Sequence, residues 1–332
     1  MSKITIVPDN VEFTVSSDET ILDAGLRHKL NLPHSCKNGV CSSCKTKIIE
    51  GEVTLDSYNP KTLTDSEREQ GYTLLCKAHA LSDVVLDIPN ILDGFPIKIL
   101  PAKVTSINKA HKIAIINLKL PANMAFGFYA GQYIEVMIKG KNRSYSIGSS
   151  PQQKNEIEIH VKNYPGGIFS DYVWNELKID NILRFRGPLG TFRLQNTNNP
   201  IVCICTGTGF APIKAILEDM YINEDQREIT LYWGNREIED YYSLDVIEKW
   251  RKKLNIKVVL CLSKKDAPTT AADYFLGYVT SALVEDFTDL SNHEVYACGN
   301  PSMIEQVFEI ACNKLELLRE RFFSDAFIPS VI

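Results

Sequence analysis

Apolar and polar positions alternate from the start of the chain. In KITIVPDNVEFTV the period-two pattern runs on either side of PDN, which predicts two strands joined by a tight turn. DETILDAGLRHKL changes the period: Ile21, Leu22 and Leu26 recur at helical spacing, with Asp18 placed to cap the helix. A strand at KTKIIEG, a short helix at TDSEREQG and the run YTLLCKAHALSDVVLDIP follow. PNILDGFPIKILP, with three prolines and one glycine, reads as a linker.

Beyond the linker the pattern changes twice. AKVTSINKAHKIAIINLKL, GQYIEVMIKG, RSYSIGSS, EIEIHVKNY and NILRFRGPLGTFRL are evenly spaced β-rich runs with turn residues between them, broken by one helix at IFSDYVWNELK. That spacing predicts an antiparallel barrel. From about residue 197 strands and helices alternate, from PIVCICTGTGFAPIKAILEDM to EVYACGN and a last helix beginning at Pro301. Alternation of this kind predicts a parallel, doubly wound sheet. The expected organisation is therefore multidomain, α+β and α/β. It comprises a small domain over 1–90, a linker over 91–100, a barrel over 101–196, and a doubly wound domain with a C-terminal tail over 197–332.

Composition agrees with several domains. At 332 residues the chain exceeds the size at which one core stops growing, and 44% apolar with 23% charged residues is ordinary for a globular protein. A net charge of −5 offers no basic footprint for nucleic acid or an anionic membrane. MSKITIVPDN lacks the pattern of a secretory signal, and no run approaches the length of a membrane span, so a cytoplasmic chain is expected.

The nine cysteines sort into two sets. An odd number argues against a disulfide framework, and Cys203, Cys205, Cys261 and Cys312 read as small buried hydrophobes. Cys36, Cys41, Cys44 and Cys76 lie in the first ninety residues with spacing C-x4-C-x2-C followed by 31 intervening residues. Zinc ribbons bring together two C-x-x-C knuckles, and here there is one. The spacing is that of a plant-type [2Fe–2S] cluster, with zinc or no metal as the alternatives. Gly39, Ser42 and Ser43 suit a loop that must bring backbone N–H groups up to sulfur. CKNGVCSSC closely resembles the plant-type ferredoxins, which implies a β-grasp fold over residues 1–90. That part holds 13 acidic and 9 basic residues, a bias suited to a docking partner or simply to solvent.

RSYSI (143–147), IHVK (159–162), GGIFSDYV (166–173) and GPLG (187–190), taken in this order, resemble the ferredoxin–NADP reductase superfamily. The resemblance implies a β-barrel that binds FAD, with FMN the rival. Arg143 would then pair with the FAD pyrophosphate, Tyr145 would pack on the isoalloxazine and Ser146 would sit near its N5. Gly167 and Ser170 would donate to phosphate at the start of a helix over 168–178. Ile147, His160, Lys162 and Phe169 complete the implied flavin site.

CTGTGFAP follows an apolar strand and opens a helix, the context in which a glycine turn binds a pyrophosphate. It departs from G-x-G-x-x-G and matches the G-T-G-x-A-P of the same superfamily, through Gly207, Thr208, Gly209 and Pro212. YWGNR and YACGNP complete the pattern, implying nicotinamide-domain roles for Trp233, Gly234, Arg236 and Gly299. Cys298 would stand near the hydride-transfer position, with a buried strand-end cysteine as the plain alternative. Relatives end on an aromatic residue that shields the flavin; Phe327 is the best match and Phe323 the second. After YWGN one cation, Arg236, faces Glu237, Glu239 and Asp240, which argues for NADH over the 2′-phosphorylated coenzyme.

The three modules imply a relay from NADH to FAD to the cluster and out to an acceptor protein. No acid/base pair is required, because the cofactors carry the chemistry. This domain order is shared by reductases of oxygenases and by reductases of 3,6-dideoxyhexose biosynthesis. RSYSI, GTGFAP, YACG and the ending FFSDAF resemble the second group, which implies an iron–sulfur, pyridoxamine-phosphate-dependent sugar dehydrase as acceptor; an oxygenase component is the alternative. A reading from another class is a non-catalytic iron–sulfur or zinc scaffold. A monomer with no nucleic-acid or membrane partner is expected.

Overall fold

The structure is a computed structural model that describes residues 1–91, 93–264 and 274–327. The chain falls into two units: residues 1–98 with 188–191, and residues 99–187 with the chain from 192 onward.

The first unit is built on β1 (Ser2–Val7), β2 (Val11–Val15), α1 (Ile21–Arg27), β3 (Lys45–Glu50), β4 (Val53–Leu55), α2 (Asp65–Glu69), β5 (Tyr72–Leu74), β6 (Ala78–Ala80) and β7 (Val84–Asp87). Five strands form one sheet in the order β2-β1-β7-β3-β5, in which β1 and β2 make the expected hairpin and β1 runs parallel to β7. Helix α1 buries Ile21, Leu22, Ala24 and Leu26, the helical face that the sequence predicts. Its cap is Thr20 rather than Asp18. Thr20 takes the extended geometry of an N-cap and its hydroxyl accepts from the Asp23 N–H at 3.1 Å. Asp18 stands two residues too early to reach that group. Helix α2 carries the full capping box, Thr64 with Glu67.

The second unit holds two sheets. Strands β8 (Lys98–Ala110), β9 (Ile113–Lys119), β10 (Tyr133–Ile138), β11 (Lys141–Ser146), β12 (Glu156–Lys162) and β13 (Ile182–Leu189) form the order β11-β10-β13-β8-β9-β12. A bridge between Ile147 and Ile159, with a 2.7 Å bond from the Gly148 N–H to the Glu158 carbonyl, joins the two end strands and closes the barrel. Val104, Ile116, Ile134, Ile147, Ile159 and Phe185 fill it. Helix α3 (Ile168–Asn175) packs Phe169 and Val173 against this core and ends before the 178 expected from the sequence. Strand β8 begins at Lys98, inside the segment that reads as linker.

The remaining elements are β14 (Ile201–Thr206), α4 (Phe210–Ile222), β15 (Ile229–Asn235), α5 (Leu244–Trp250), β16 (Ile256–Leu262), β17 (Phe275–Leu276), α6 (Val279–Asp286), β18 (Glu294–Gly299), α7 (Pro301–Asn313) and β19 (Phe322–Ala326). All pairs in the sheet β17-β16-β15-β14-β18-β19 are parallel. Strands β15 and β18 are buried along their whole length, as parallel strands covered on both faces must be. The winding reverses between β14 and β18, and a crevice at the carboxyl ends of those strands is where such folds take a ligand. No helix among the described residues is long and apolar enough to cross a membrane.

Candidate functional site

The cysteine loop lies between α1 and β3. Cys36 and Cys41 are half-buried, and Cys44 and Cys76 are buried; none forms a disulfide. The thiols stand as two pairs. Cys44 Sγ donates to Cys76 Sγ at 3.2 Å, and the Cys41 thiol donates to Cys36. In each pair the accepting sulfur titrates low and the donating one high. The bond from Cys41, aided by the N–H groups of Val40 and Asn38, brings Cys36 to about 7, whereas donation to Cys36 together with burial raises Cys41. The Asn38 N–H lies 3.3 Å from the Cys36 sulfur, and the Gly39 N–H points at Cys76.

The loop achieves this by left-handed turns at Lys37, Gly39 and Ser42. Gly39 is required twice over: its φ is +72°, and an added Cβ would lie 2.8 Å from Cβ of Tyr58. Its carbonyl accepts from the Thr62 hydroxyl and the Asn59 N–H, both at 3.0 Å, which pins the loop from outside.

On the barrel, β11 presents the RSYSI residues. Tyr145 is half-buried with its ring 5.0 Å from that of Phe169, and burial raises the pKa of its hydroxyl. Arg143 is half-exposed and donates to the Asn142 carbonyl at 2.9 Å. Ser146 is buried, and its hydroxyl donates to the Asp325 carboxylate at 3.4 Å.

A cavity of about 700 Å³ opens at the carboxyl ends of β14, β15 and β18. Its wall includes Gly207, Thr208, Gly234, Arg236, Gly299 and Phe327, together with Lys112 and Lys162 of the barrel. Phe327 is held by its backbone N–H, which donates to the Gly299 carbonyl at 2.8 Å. Phe323 instead stacks on Tyr296 at 5.0 Å, so of the two aromatic candidates Phe327 is the one in the cavity wall. The acids after YWGN are partly occupied: Lys264 holds Glu237 at 3.1 Å, and Asp240 lies 3.5 Å from His111 and 3.8 Å from Lys112.

Several expected site residues serve the site from behind. His160 is buried and both ring nitrogens are committed, Nδ1 to the Tyr242 hydroxyl at 2.8 Å and Nε2 to Glu158 at 2.7 Å, so neither ring nitrogen is left for a flavin. Trp233 is fully buried and stacked on Phe210 at 3.9 Å; its Nε1 donates to the Gly207 carbonyl and supports the glycine turn from below. Ile147 lies in the barrel core, Gly209 and Pro212 are buried at the start of α4, and Cys298 is fully buried one residue before the carboxyl end of β18, next to the cavity-lining Gly299. Burial pushes the Cys298 thiol well up. The donors expected at α3 are spent locally: the Ser170 hydroxyl donates to the Tyr164 carbonyl at 2.6 Å, and so does the Gly167 N–H at 2.9 Å.

Four buried or half-buried residues escape motif reading: Asp325, Glu158, Lys214 and Tyr242. Asp325 falls on β19, a strand whose polar–apolar pattern gives no period-two signal. Lys214 reads as an ordinary helix lysine until its 8% exposure is seen.

Family models match all three parts of the chain. A 2Fe-2S iron-sulfur cluster binding domain covers 4–81, an oxidoreductase FAD-binding domain 101–194 and an oxidoreductase NAD-binding domain 203–309. The CDP-6-deoxy-L-threo-D-glycero-4-hexulose-3-dehydrase reductase of Yersinia pseudotuberculosis is 40% identical over 98% of both chains. The chain belongs to the iron–sulfur flavoprotein reductases. The propane 2-monooxygenase reductase component of Mycolicibacterium smegmatis is 33% identical over 91% of this chain and 90% of its own. A solved cytochrome P450 reductase of Amycolatopsis is 28% identical, covers 99% of both chains and has a TM-score of 0.80.

As a member of this family the protein is an NADH-dependent oxidoreductase with a [2Fe–2S] cluster and FAD. The residues fit those groups. Among the described residues no set of three or more His, Cys, Asp or Glu side chains converges as a site for one metal ion. Two separate thiol pairs suit a two-iron frame, in which each iron takes two sulfurs, better than a zinc ion that gathers four. Lys112, Lys162 and Arg236 around a crevice at a glycine turn suit a pyrophosphate.

Proposed function

We propose that this reductase draws electrons from NADH and delivers them to a dehydrase acting on a CDP-linked 4-keto-6-deoxyhexose in 3,6-dideoxyhexose biosynthesis. The observation that carries the reading is the match over 98% of both chains to a reductase named for that dehydrase. When bound, FAD and the cluster supply the redox chemistry, dividing a two-electron hydride into single electrons.

The chain's own residues bind and orient. Cys36, Cys41, Cys44 and Cys76 hold the cluster, and the N–H groups of Asn38, Gly39 and Val40 stabilise added negative charge on sulfur. Arg143 binds the FAD pyrophosphate, Tyr145 gives the flavin an aromatic wall that Phe169, itself buried in the barrel core and out of a flavin's reach, supports from behind, and Ser146 addresses its reacting edge. Gly207, Thr208 and Arg236 would hold the dinucleotide together with Lys162, which was expected at the flavin but lines the same cavity wall, and Phe327 would shield the flavin's nicotinamide-facing side. We read the protein as a cytoplasmic monomer, which size-exclusion chromatography checks.

The test is reconstitution. With NADH and the partner dehydrase, the reductase should support C-3 deoxygenation of the CDP-hexulose. Failure there, combined with turnover of an oxygenase component, would move the protein to the oxygenase reductases, a reading favoured by its 33% identity to the propane monooxygenase reductase. A purified protein without flavin absorbance, leaving NADH unconsumed with ferricyanide, would instead point to a scaffold.

A further inference from the structure

Lys214 brings a positive charge into the interior of the second unit. It lies on α4 just beyond the glycine turn and is 8% exposed. Its Nζ donates to the Gly148 carbonyl at 3.0 Å and stands 3.0 Å from Oε1 of Glu158. The same carboxylate oxygen lies 2.7 Å from Nε2 of His160, whose Nδ1 meets the Tyr242 hydroxyl at 2.8 Å. The Tyr242 ring packs edge-on against Phe210 at 5.8 Å and Trp233 at 5.3 Å, and Trp233 in turn holds the Gly207 carbonyl. An unbroken series of contacts therefore runs from Gly148, two residues past Ser146, to the glycine turn.

A second anchorage repeats the connection. The Ser150 hydroxyl donates to Asp219 at 2.8 Å, and Gln152 Nε2 reaches Asn223 at 2.7 Å. The segment continuing from β11 is thus tied to α4 at its beginning and to the end of the same helix farther along. Gly148 makes the first tie possible, because an added Cβ would lie 2.8 Å from Nε2 of His160 and 3.2 Å from Oε1 of Glu158.

Apolar packing would join a barrel to a sheet at less desolvation cost than a buried cation, carboxylate and imidazole. What directional bonds add is a fixed register between the two surfaces. Hydride transfer needs such a register, since its rate depends on reacting atoms held within about 3–3.5 Å.

We propose that Lys214, engaged by Glu158 and the Gly148 carbonyl and backed by His160 and Tyr242, is a positioning residue that fixes the strand end at Ser146 against the glycine turn at Gly207. This rests on the reading of Ser146 as flavin-facing and of the turn as dinucleotide-binding.

The experiment compares wild type with Lys214→Met, Lys214→Arg and Tyr242→Phe in the full-length holoenzyme. Stopped-flow mixing with NADH follows flavin bleaching and the long-wavelength charge-transfer absorbance of the nicotinamide–flavin complex. Lys214→Met should keep its FAD and its NADH affinity yet reduce the flavin about 10- to 100-fold more slowly, with a weaker charge-transfer band. Lys214→Arg should restore most of both, and Tyr242→Phe, which removes a single hydroxyl, should shift both in the same direction by less. Calorimetry should show the transition of the second unit splitting or broadening in Lys214→Met. A Lys214→Met enzyme with wild-type reduction rate and band overturns the proposal, as does a Lys214→Arg enzyme as slow as Lys214→Met. If NADH fails to bleach the wild-type flavin, the cofactor reading falls instead. The tie is then judged by calorimetry alone, where an unsplit transition in Lys214→Met overturns it. If Lys214→Met does not fold, Tyr242→Phe decides by the same two readouts.

Discussion

The Ser146 hydroxyl donates to the Asp325 carboxylate at 3.4 Å, both side chains buried, so the barrel strand β11 and the last strand β19 meet at one hydrogen bond. Asp325 sits in register with Cys298 on β18, two residues before the cavity-lining Phe327. If Ser146 faces the flavin as proposed, this bond fixes where its hydroxyl oxygen stands. Ser146→Ala should slow flavin reduction by NADH about 10- to 100-fold, the range for loss of a group that positions the reacting atoms. Its thermal stability should fall by about 1–3 kcal/mol, because Asp325 keeps its burial and loses a donor. Stopped-flow absorbance and calorimetry read the two effects separately.

The cluster cysteines give a cleaner separation. Cys41→Ser should abolish reduction of cytochrome c while NADH still bleaches the flavin, since the flavin and dinucleotide residues lie in a different unit from the cysteine loop. Iron analysis and the visible spectrum monitor the cluster, and ferricyanide reduction monitors the flavin. Loss of flavin bleaching as well would mean that the cluster is needed for folding of the rest.

Much of this was legible in the chain because the informative residues are local. Three of the four cysteines sit on one loop, so spacing conveyed their chemistry, and the glycine turn between β14 and α4 is continuous in sequence, so its strand–turn–helix context and its resemblance to G-T-G-x-A-P conveyed the rest. What stayed hidden depends on contacts between distant segments. His160 lies in a motif strand, yet its partner Tyr242 is 82 positions away, and only that contact shows the ring to be committed inward. Trp233 and Cys298 belong to matching motifs but fall on strands buried on both faces, where a side chain supports the crevice without lining it. Asp325 was missed because an edge strand with three half-buried positions in five carries no clear period.

Coenzyme binding should respond to Arg236. It is exposed at the cavity rim after β15, while Lys264 and the His111–Lys112 turn engage the neighbouring acids. Loss of a charged hydrogen bond to phosphate costs about 1.5–3 kcal/mol, so Arg236→Ala should raise KM for NADH about 10- to 100-fold. An effect confined to binding leaves kcat nearly unchanged. Steady-state ferricyanide assays separate the two parameters.

The Glu158–His160–Lys214 group predicts a sensitivity to acid. Burial alone would raise the Glu158 pKa, but the His160 hydrogen bond and the charges of His160 and Lys214 outweigh it and hold the carboxyl at about 2, below its ordinary 4.5. Burial lowers His160 below 6.5, against the pull of Glu158. Both folded values are depressed, so in each case the unfolded chain binds the proton first as pH falls. Stability from the group is complete above 6.5, begins to be lost below it as His160 resists protonation, and falls further between 4.5 and about 2 as Glu158 does. Glu158→Gln should be less stable than wild type at pH 7, by up to about 3 kcal/mol, with the gap narrowing below pH 4.5. Melting temperatures of both proteins across that range test it; a gap that stays constant with pH would contradict it.

Gly148→Ala examines the same region through volume rather than charge. The φ of Gly148 lies outside the left-handed region, so alanine is acceptable to the backbone and space decides the outcome. The new methyl would meet His160 Nε2 at 2.8 Å and Glu158 Oε1 at 3.2 Å. Neither atom can withdraw freely, because Tyr242 holds the far side of the imidazole and Lys214 holds the carboxylate. Overpacking of this kind costs about 1–3 kcal/mol, so Gly148→Ala should lower the melting temperature of the second unit by several degrees. Gly140→Ala supplies the comparison. Its added Cβ would have nothing within 4 Å, and its φ of +73° makes the cost conformational instead of steric. Gly140→Ala should therefore lose stability without slowing flavin reduction. Gly148→Ala should lose both, because the displaced Glu158 no longer holds Lys214 in place.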